Sequence, residues 1–302
     1  MNNEFINVDP LSTSPLPFVL TPTADGSTTF FSTEFGETFH SIHGARLEAE
    51  LKFVHPAQLK DLSHQADLTL LDICYGLGYN TAAALTTIWA MNPHCRVRLV
   101  ALERDGWVPK AAVSAHCFQG WTPSIVNCLN HIAIRHYWST PVLDAQLIIG
   151  DARQTILGLV ESRFQADVIF LDPFSPPHCP QLWTVEFLSF ISKCLLPHGC
   201  LVTYSCAAAI RSVLQQIGLH IGNTPPVGRR SPGTVARWYP ELIPVDGALT
   251  QWEWEHLLTR AATPYRDPTL KDDAPIILAR RQKEQSISIL EPTSQWRKRW
   301  RR

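Results

Sequence analysis

Apolar residues fall along this chain in short continuous runs separated by amphipathic stretches, the rhythm of strands alternating with helices. The runs lie at 68–72, 96–103, 146–151, 166–172 and 200–205, and most are apolar without alternation, as strands buried on both faces are. Between them the spacing predicts helices over 82–89, 152–159, 182–196 and 207–217, the third stopped by Pro197-His198-Gly199. The interval 105–144 reads as mostly helical, interrupted at Gly120-Trp121 and Pro123. The stretches 218–222 and 234–238 read as a closing antiparallel pair around the loop 225–230. Upstream, two apolar stretches flank Asp25-Gly26, a hairpin signal, and a helix is expected from near Gly44 toward His55. The result is an α/β sandwich with a mostly parallel seven-stranded sheet and a closing antiparallel hairpin.

Three units are expected: an N-terminal flap over 1–60, a central domain over 61–240, and a C-terminal extension over 241–302. Residues 1–17 are rich in Pro, Ser and Thr and are expected to be poorly ordered. With 45% hydrophobic and 18% charged residues, the 302-residue chain can bury a substantial core. No apolar run is long enough to span a membrane and the start lacks a basic-then-apolar leader, so a cytoplasmic location is expected. The eight cysteines contain no C-x-x-C pair and no cysteine-histidine cluster accompanies them, so they read as buried small hydrophobes and no metal is expected. Charge changes the picture more. The net charge of −1 divides into +6 over 276–302 and −7 over the rest. A basic end on an acidic body suggests an anionic partner, with a solvated tail as the alternative.

The chemistry begins at Asp72-Ile-Cys-Tyr75-Gly76-Leu-Gly78-Tyr-Asn80-Thr81, a strand that runs into a glycine turn and then a helix capped by Asn80 or Thr81. Ligands of open α/β sheets sit at such corners. Glu103 closes the second strand, where it can accept both ribose hydroxyls of an adenosine, as NAD or S-adenosylmethionine carries. Asp151 closes the third, within reach of an adenine amino group. Taken singly, each carboxylate also reads as a strand-end or cap residue. The fourth strand ends in Asp172-Pro173-Phe174-Ser175-Pro176, a carboxylate in a proline-stiffened turn, which selects methyl transfer to an amine. There Asp172 is the catalytic candidate, orienting the amine and stabilising the charge that builds on nitrogen; the alternative is a turn-forming Asp-Pro pair.

Asp25-Gly26, Glu34-x-x-Glu37-x-x-His40-Ser41-x-x-Gly44-Ala45-x-x-Glu48, the glycine turn, Leu171-Asp172-Pro173-Phe174 and Leu182-Trp183-Thr184 together resemble the MnmC-like methyltransferase family, over about residues 20–240. The resemblance implies a Rossmann-like fold that uses S-adenosylmethionine to methylate the aminomethyl group of 5-aminomethyl-(2-thio)uridine at the tRNA wobble position. It implies cofactor contacts from Asp72, Tyr75, Gly76, Gly78, Asn80, Glu103, Asp151 and Asp172. It further implies substrate or RNA contacts from Glu37, His40, Ser41, Phe174, Arg229 and Arg230, to which the charge pattern adds Arg297 and Arg299. Two-domain members carry a flavin-dependent oxidoreductase after the methyltransferase part. Residues 240–302 are too few for one and show no second glycine turn, so no FAD is expected and the amine must arrive ready-made. Alternatives are an amino-methyltransferase on another nucleic-acid base, an aminopropyltransferase, and a non-catalytic adenosine-binding module.

Overall fold

The computed structural model describes residues 18–227 and 231–300. Residues 1–17 and the loop positions Gly228, Arg229 and Arg230 lie outside the described residues, and so do the expectations placed on them. Eleven strands are described: β1 (Phe18–Pro22), β2 (Thr28–Ser32), β3 (Glu37–Thr38), β4 (Asp67–Ile73), β5 (Arg96–Glu103), β6 (Tyr137–Thr140), β7 (Leu143–Ile149), β8 (Ala166–Leu171), β9 (Leu195–Thr203), β10 (His220–Asn223) and β11 (Thr234–Arg237). The first three form a small antiparallel sheet, and the other eight lie in the order β10-β11-β9-β8-β4-β5-β7-β6. Strands β7, β5, β4, β8 and β9 run parallel, while β11 and β10 close one edge antiparallel and β6 the other.

Strand β4 is central because both its faces are covered. Leu70 joins the apolar cluster that contains Leu85 and Ile88 of the helix Tyr79–Met91, whereas Leu71 and Ile73 join Ile156, Phe187 and Ile210 on the opposite face. After β4 the chain moves outward to β5 and β7, then returns to place β8 on the other side of β4. That reversal opens a crevice at the carboxyl ends of β4 and β8.

The sheet has one strand more than expected. Tyr137–Thr140 forms an edge strand instead of the end of a helical interval, because His136 adopts a left-handed conformation (φ 60°) that stops the helix Pro123–Arg135. The third parallel strand accordingly starts at Leu143, and the fifth at Leu195. The expected helix over 182–196 shortens to Val185–Lys193, capped by Thr184, after a 3-10 turn over Pro180–Trp183. The hairpin at Asp25-Gly26 is present, with Gly26 at φ 81° and Asp25 accepting from Ser27 N at 2.9 Å. The helix from Gly44 is present as well, but Ala45–Glu48 passes into a π-helix over Ala49–Val54.

Beyond β11 the chain adds the helices Gln251–His256, Ala274–Ile287 and Thr293–Trp300. Buried Arg211 anchors the first, donating to Glu253 at 2.8 Å and to Asn223 at 2.6 Å. Trp296 is 3% exposed and stacks on His256 with ring centres 4.2 Å apart. No helix among the described residues is long and apolar enough to cross a membrane.

Candidate active site

The turn after β4 is shaped by its two glycines. Gly78 has φ 87°, and a Cβ there would meet the Tyr75 hydroxyl at 2.5 Å, so only glycine fits over that ring. Gly78 is also the residue that caps the helix Tyr79–Met91; the expected caps are used differently. Thr81 donates to buried Asp72 at 2.7 Å, and Asn80 donates from Nδ2 to Asp172 Oδ2 at 2.9 Å. The turn is thereby tied to both strands that flank the crevice.

At the end of β5, Glu103 lies across this turn and accepts from Gly76 N at 2.9 Å and from Asp105 N at 2.9 Å. Burial raises its pKa in spite of those two donors. Asp151 serves as the cap that its position allowed, accepting from Arg153 N at 2.9 Å, and it also lines the crevice. Its partner Arg153 reaches on to buried Asp267 at 2.7 Å and to the Asp272 carbonyl at 2.9 Å. Following β8, Asp172 is half-buried, and its turn is held by Tyr204 donating to Pro173 O at 2.9 Å and Trp183 donating to Phe174 O at 2.8 Å.

The small sheet forms the facing wall. Phe35 stacks on Phe174 with ring centres 4.3 Å apart, and Phe39 meets Phe174 edge-on at 4.9 Å. Glu37 accepts from Ser175 N at 2.9 Å and from Ser175 Oγ at 2.5 Å, His178 Nδ1 contacts the Phe35 carbonyl, and Arg104 pairs with Glu34. The two walls enclose a cleft of about 400 Å³ lined by Gly76, Glu103, Asp151, Asp172, Glu37, Phe174 and Glu48, among others.

The electrostatics of the cleft are set by crowded carboxylates. Burial, reinforced by the charge of Glu48, pushes Asp172 up to about 8 against the Asn80 hydrogen bond. Burial likewise pushes Asp72 up to about 7, with Thr81 opposing and Glu103 adding. Such a site favours a cation.

The structure brings six of the predicted residues to the cleft surface and sets Asp72, Tyr75, Gly78 and Asn80 immediately behind it. It does not bring His40 or Ser41 there. His40 packs inside the small sheet, with Nδ1 3.2 Å from Thr29 Oγ1 and its ring against Tyr79, and burial lowers its pKa to about 4. Ser41 donates its backbone N–H to Glu48 at 2.6 Å. Glu37 spends its carboxylate on Ser175, as a latch between the walls. Arg297 and Arg299 lie on the last helix, where Arg299 pairs with Glu255 and Glu291 at 2.9 and 2.7 Å. Sequence reasoning missed Arg104, Phe35, Lys52 and the role of Glu48. For Arg104 a signal existed, its place directly after Glu103 at a strand end.

These residues fit an adenosine-bearing, cationic group. Asp72 Oδ1 and Asn80 Oδ1 are buried beside the turn without a hydrogen-bond partner among the described residues. A Cβ on Gly76 would come within 3.4 Å of the Phe39 ring and narrow the cleft that both line. Among the described residues, no group of three or more His, Cys, Asp or Glu side chains is arranged to hold a metal.

Comparison with known proteins agrees with that chemistry. Residues 123–238 match the model of a family described as S-adenosyl-L-methionine-dependent methyltransferase. The chain is 31% identical over 271 residues to an uncharacterized protein of Methanocaldococcus jannaschii, covering 83% of this chain and 68% of that one. It is 25% identical over 228 residues to the tRNA 5-methylaminomethyl-2-thiouridine biosynthesis bifunctional protein MnmC of an Acidovorax strain, covering 72% of this chain and 35% of that protein. The chain thus spans about a third of the length of that bifunctional relative. The crystal structure of MNMC2 from Aquifex aeolicus matches with a TM-score of 0.76 at 30% identity, over 89% of this chain and 85% of that one.

Proposed function

The chain belongs to the MnmC-like family of S-adenosyl-L-methionine-dependent methyltransferases, and from that premise we propose that it N-methylates the aminomethyl group of 5-aminomethyl-(2-thio)uridine at the tRNA wobble position. Asp172 carries the reading: a carboxylate at the end of β8, held by Asn80 in a stiff turn on the cleft. S-adenosylmethionine supplies an electrophilic methyl carbon that the amine nitrogen takes, the sulfur keeping the electrons of the broken bond. Gly76, Glu103 and Asp151 are assigned to the adenosine end, with Asp72, Tyr75, Gly78 and Asn80 shaping the turn behind it. Asp172 accepts from the amine, aligns it and stabilises the positive charge that builds on nitrogen. The amine's surplus proton leaves to water.

Phe174, with Phe35 against it, offers an aromatic edge to a splayed wobble base. Arg297 and Lys298, which have no carboxylate partner among the described residues, are the phosphate candidates on the last helix. Transfer of labelled methyl to tRNA from a strain lacking the wobble methyl group tests the reading, with nucleoside analysis and Asp172→Ala as control. The expected result is a labelled 5-methylaminomethyl nucleoside that vanishes in the variant. Label on a different nucleoside would overturn the substrate assignment.

A further inference from the structure

The proposed reaction leaves unused a buried ion pair at the wall of the same cleft. Lys52 is 1% exposed and donates from Nζ to Glu48 Oε1 at 2.7 Å, while Glu48 Oε2 accepts from Ser41 N at 2.6 Å. Glu48 lines the cleft and Lys52 lies behind it. The pair spans the junction at which Ala45–Glu48 passes into the π-helix Ala49–Val54. That π-helix packs on Tyr79–Met91, the helix that sends Asn80 to Asp172. Wide turns of this kind recur where a helix must aim side chains at a functional site.

Stability is a poor reason for such a pair, since well-packed apolar residues commonly do as well in its place. A carboxylate also has about four lone-pair sites, and Glu48 uses two of them, one on each oxygen. Glu48 and Asp172 line the same cleft, Asn80 holds one oxygen of Asp172, and burial together with the neighbouring charges of Glu48 and Asp72 raises the pKa of Asp172 while the charge of Lys52 lowers it.

Resting on the amine-methylation reading, we propose that Glu48 and Asp172 form a two-carboxylate clamp for the acceptor's cationic nitrogen, with Lys52 as the buried counter-ion that holds Glu48 in position. A primary ammonium has three N–H groups. With two of them held by carboxylates, the third is the one free to lose its proton to water, which bares the lone pair in a single fixed direction. The clamp therefore orients the nucleophile as well as binding it.

Glu48→Gln, Lys52→Met and the double variant, each measured for S-adenosylhomocysteine affinity, thermal stability and kinetics on tRNA bearing 5-aminomethyluridine, test the clamp. Glu48→Gln should raise the acceptor KM and lower kcat/KM by about 30- to 100-fold, with S-adenosylhomocysteine affinity within about threefold of the parent. The double variant removes both buried charges, so it should recover thermal stability and yet stay at least about tenfold down in kcat/KM. Parent-like kcat/KM in the double variant would overturn the clamp, making Glu48 a mere partner for Lys52. So would a loss of about tenfold or more in S-adenosylhomocysteine affinity for Glu48→Gln, which would assign Glu48 to the cofactor. A parent protein that ignores 5-aminomethyluridine but methylates another amine defeats the substrate reading alone, and the same variants then score the clamp on that amine. A parent that methylates no amine defeats both.

Discussion

The two walls of the cleft are built in opposite ways. On the sheet side, Asp72, Glu103, Asp151 and Asp172 sit at the ends of parallel strands joined by backbone hydrogen bonds, and their loops are held by Gly76 N–H, Asn80 and Tyr204. The facing wall, β1 to β3, is fastened by side chains: the Glu37–Ser175 bonds, the Phe35–Phe174 stack and the half-exposed Arg104–Glu34 pair. Gly76, Glu103, Asp151 and Asp172 belong to the rigid wall, Glu48 comes from the helix Ala45–Glu48 that follows the other wall in the chain, and that other wall is attached by contacts of modest individual strength.

Variants on the rigid wall should therefore cut deepest. Asp172→Ala should lower kcat for methyl transfer by about 10²- to 10³-fold, measured at saturating cofactor. Glu103→Ala should weaken S-adenosylhomocysteine binding by about 30- to 100-fold in calorimetry, since it removes charged acceptors from the adenosine end. The raised pKa values of Asp72 and Asp172, about 7 and about 8, predict a pH dependence with a defined sign. Both groups hold protons in the cofactor-free fold at a pH where the unfolded chain has lost them. Chemical denaturation should therefore show stability falling as pH rises from about 4 toward 8, by up to about 1.4 kcal/mol per pH unit for each proton. A cation prefers the ionised site, so cofactor affinity should rise over the upper part of that range by up to about tenfold per pH unit.

On the latched wall the effects should be smaller and fall on KM. Glu37→Ala should raise the acceptor KM about threefold to tenfold with kcat nearly unchanged. Arg104→Ala should cost less than about 1 kcal/mol of stability, an effect that added salt erases, because the Glu34 pair is more than half exposed. A Glu37 variant that loses kcat as severely as Asp172→Ala would break the division between the walls.

The rigid wall was also the more legible one in the sequence. Continuous apolar runs ending in Asp72, Glu103, Asp151 and Asp172 announce parallel strands and a crevice, since doubly covered strands have no polar face to disguise them. Strand β6 escaped because Tyr137-Trp-Ser-Thr follows a helix without glycine or proline, and only the left-handed His136 separates the two. Glu48 and Lys52, four residues apart, look on paper like an ordinary solvated helix pair; burial against Tyr79–Met91 depends on a tertiary contact that no local pattern encodes. His40 was drawn into the hairpin's interior by Thr29, eleven positions away in the chain.

Arg153 bears on how deletion experiments are read. One guanidinium grips Asp151 at the cleft with Nε and Nη2 and, with Nη1, donates to Asp267 and the Asp272 carbonyl in the segment beyond β11. Cutting the chain after residue 240 would strip away two of those three partners, Asp267 and Asp272, and free the arginine to pull Asp151 out of place. A shortened protein that no longer methylates RNA would then testify to a collapsed adenosine pocket as readily as to a missing RNA-binding tail. Replacing Arg297 and Lys298 one at a time, with Asp267 untouched, is the way to ask the tail what it does.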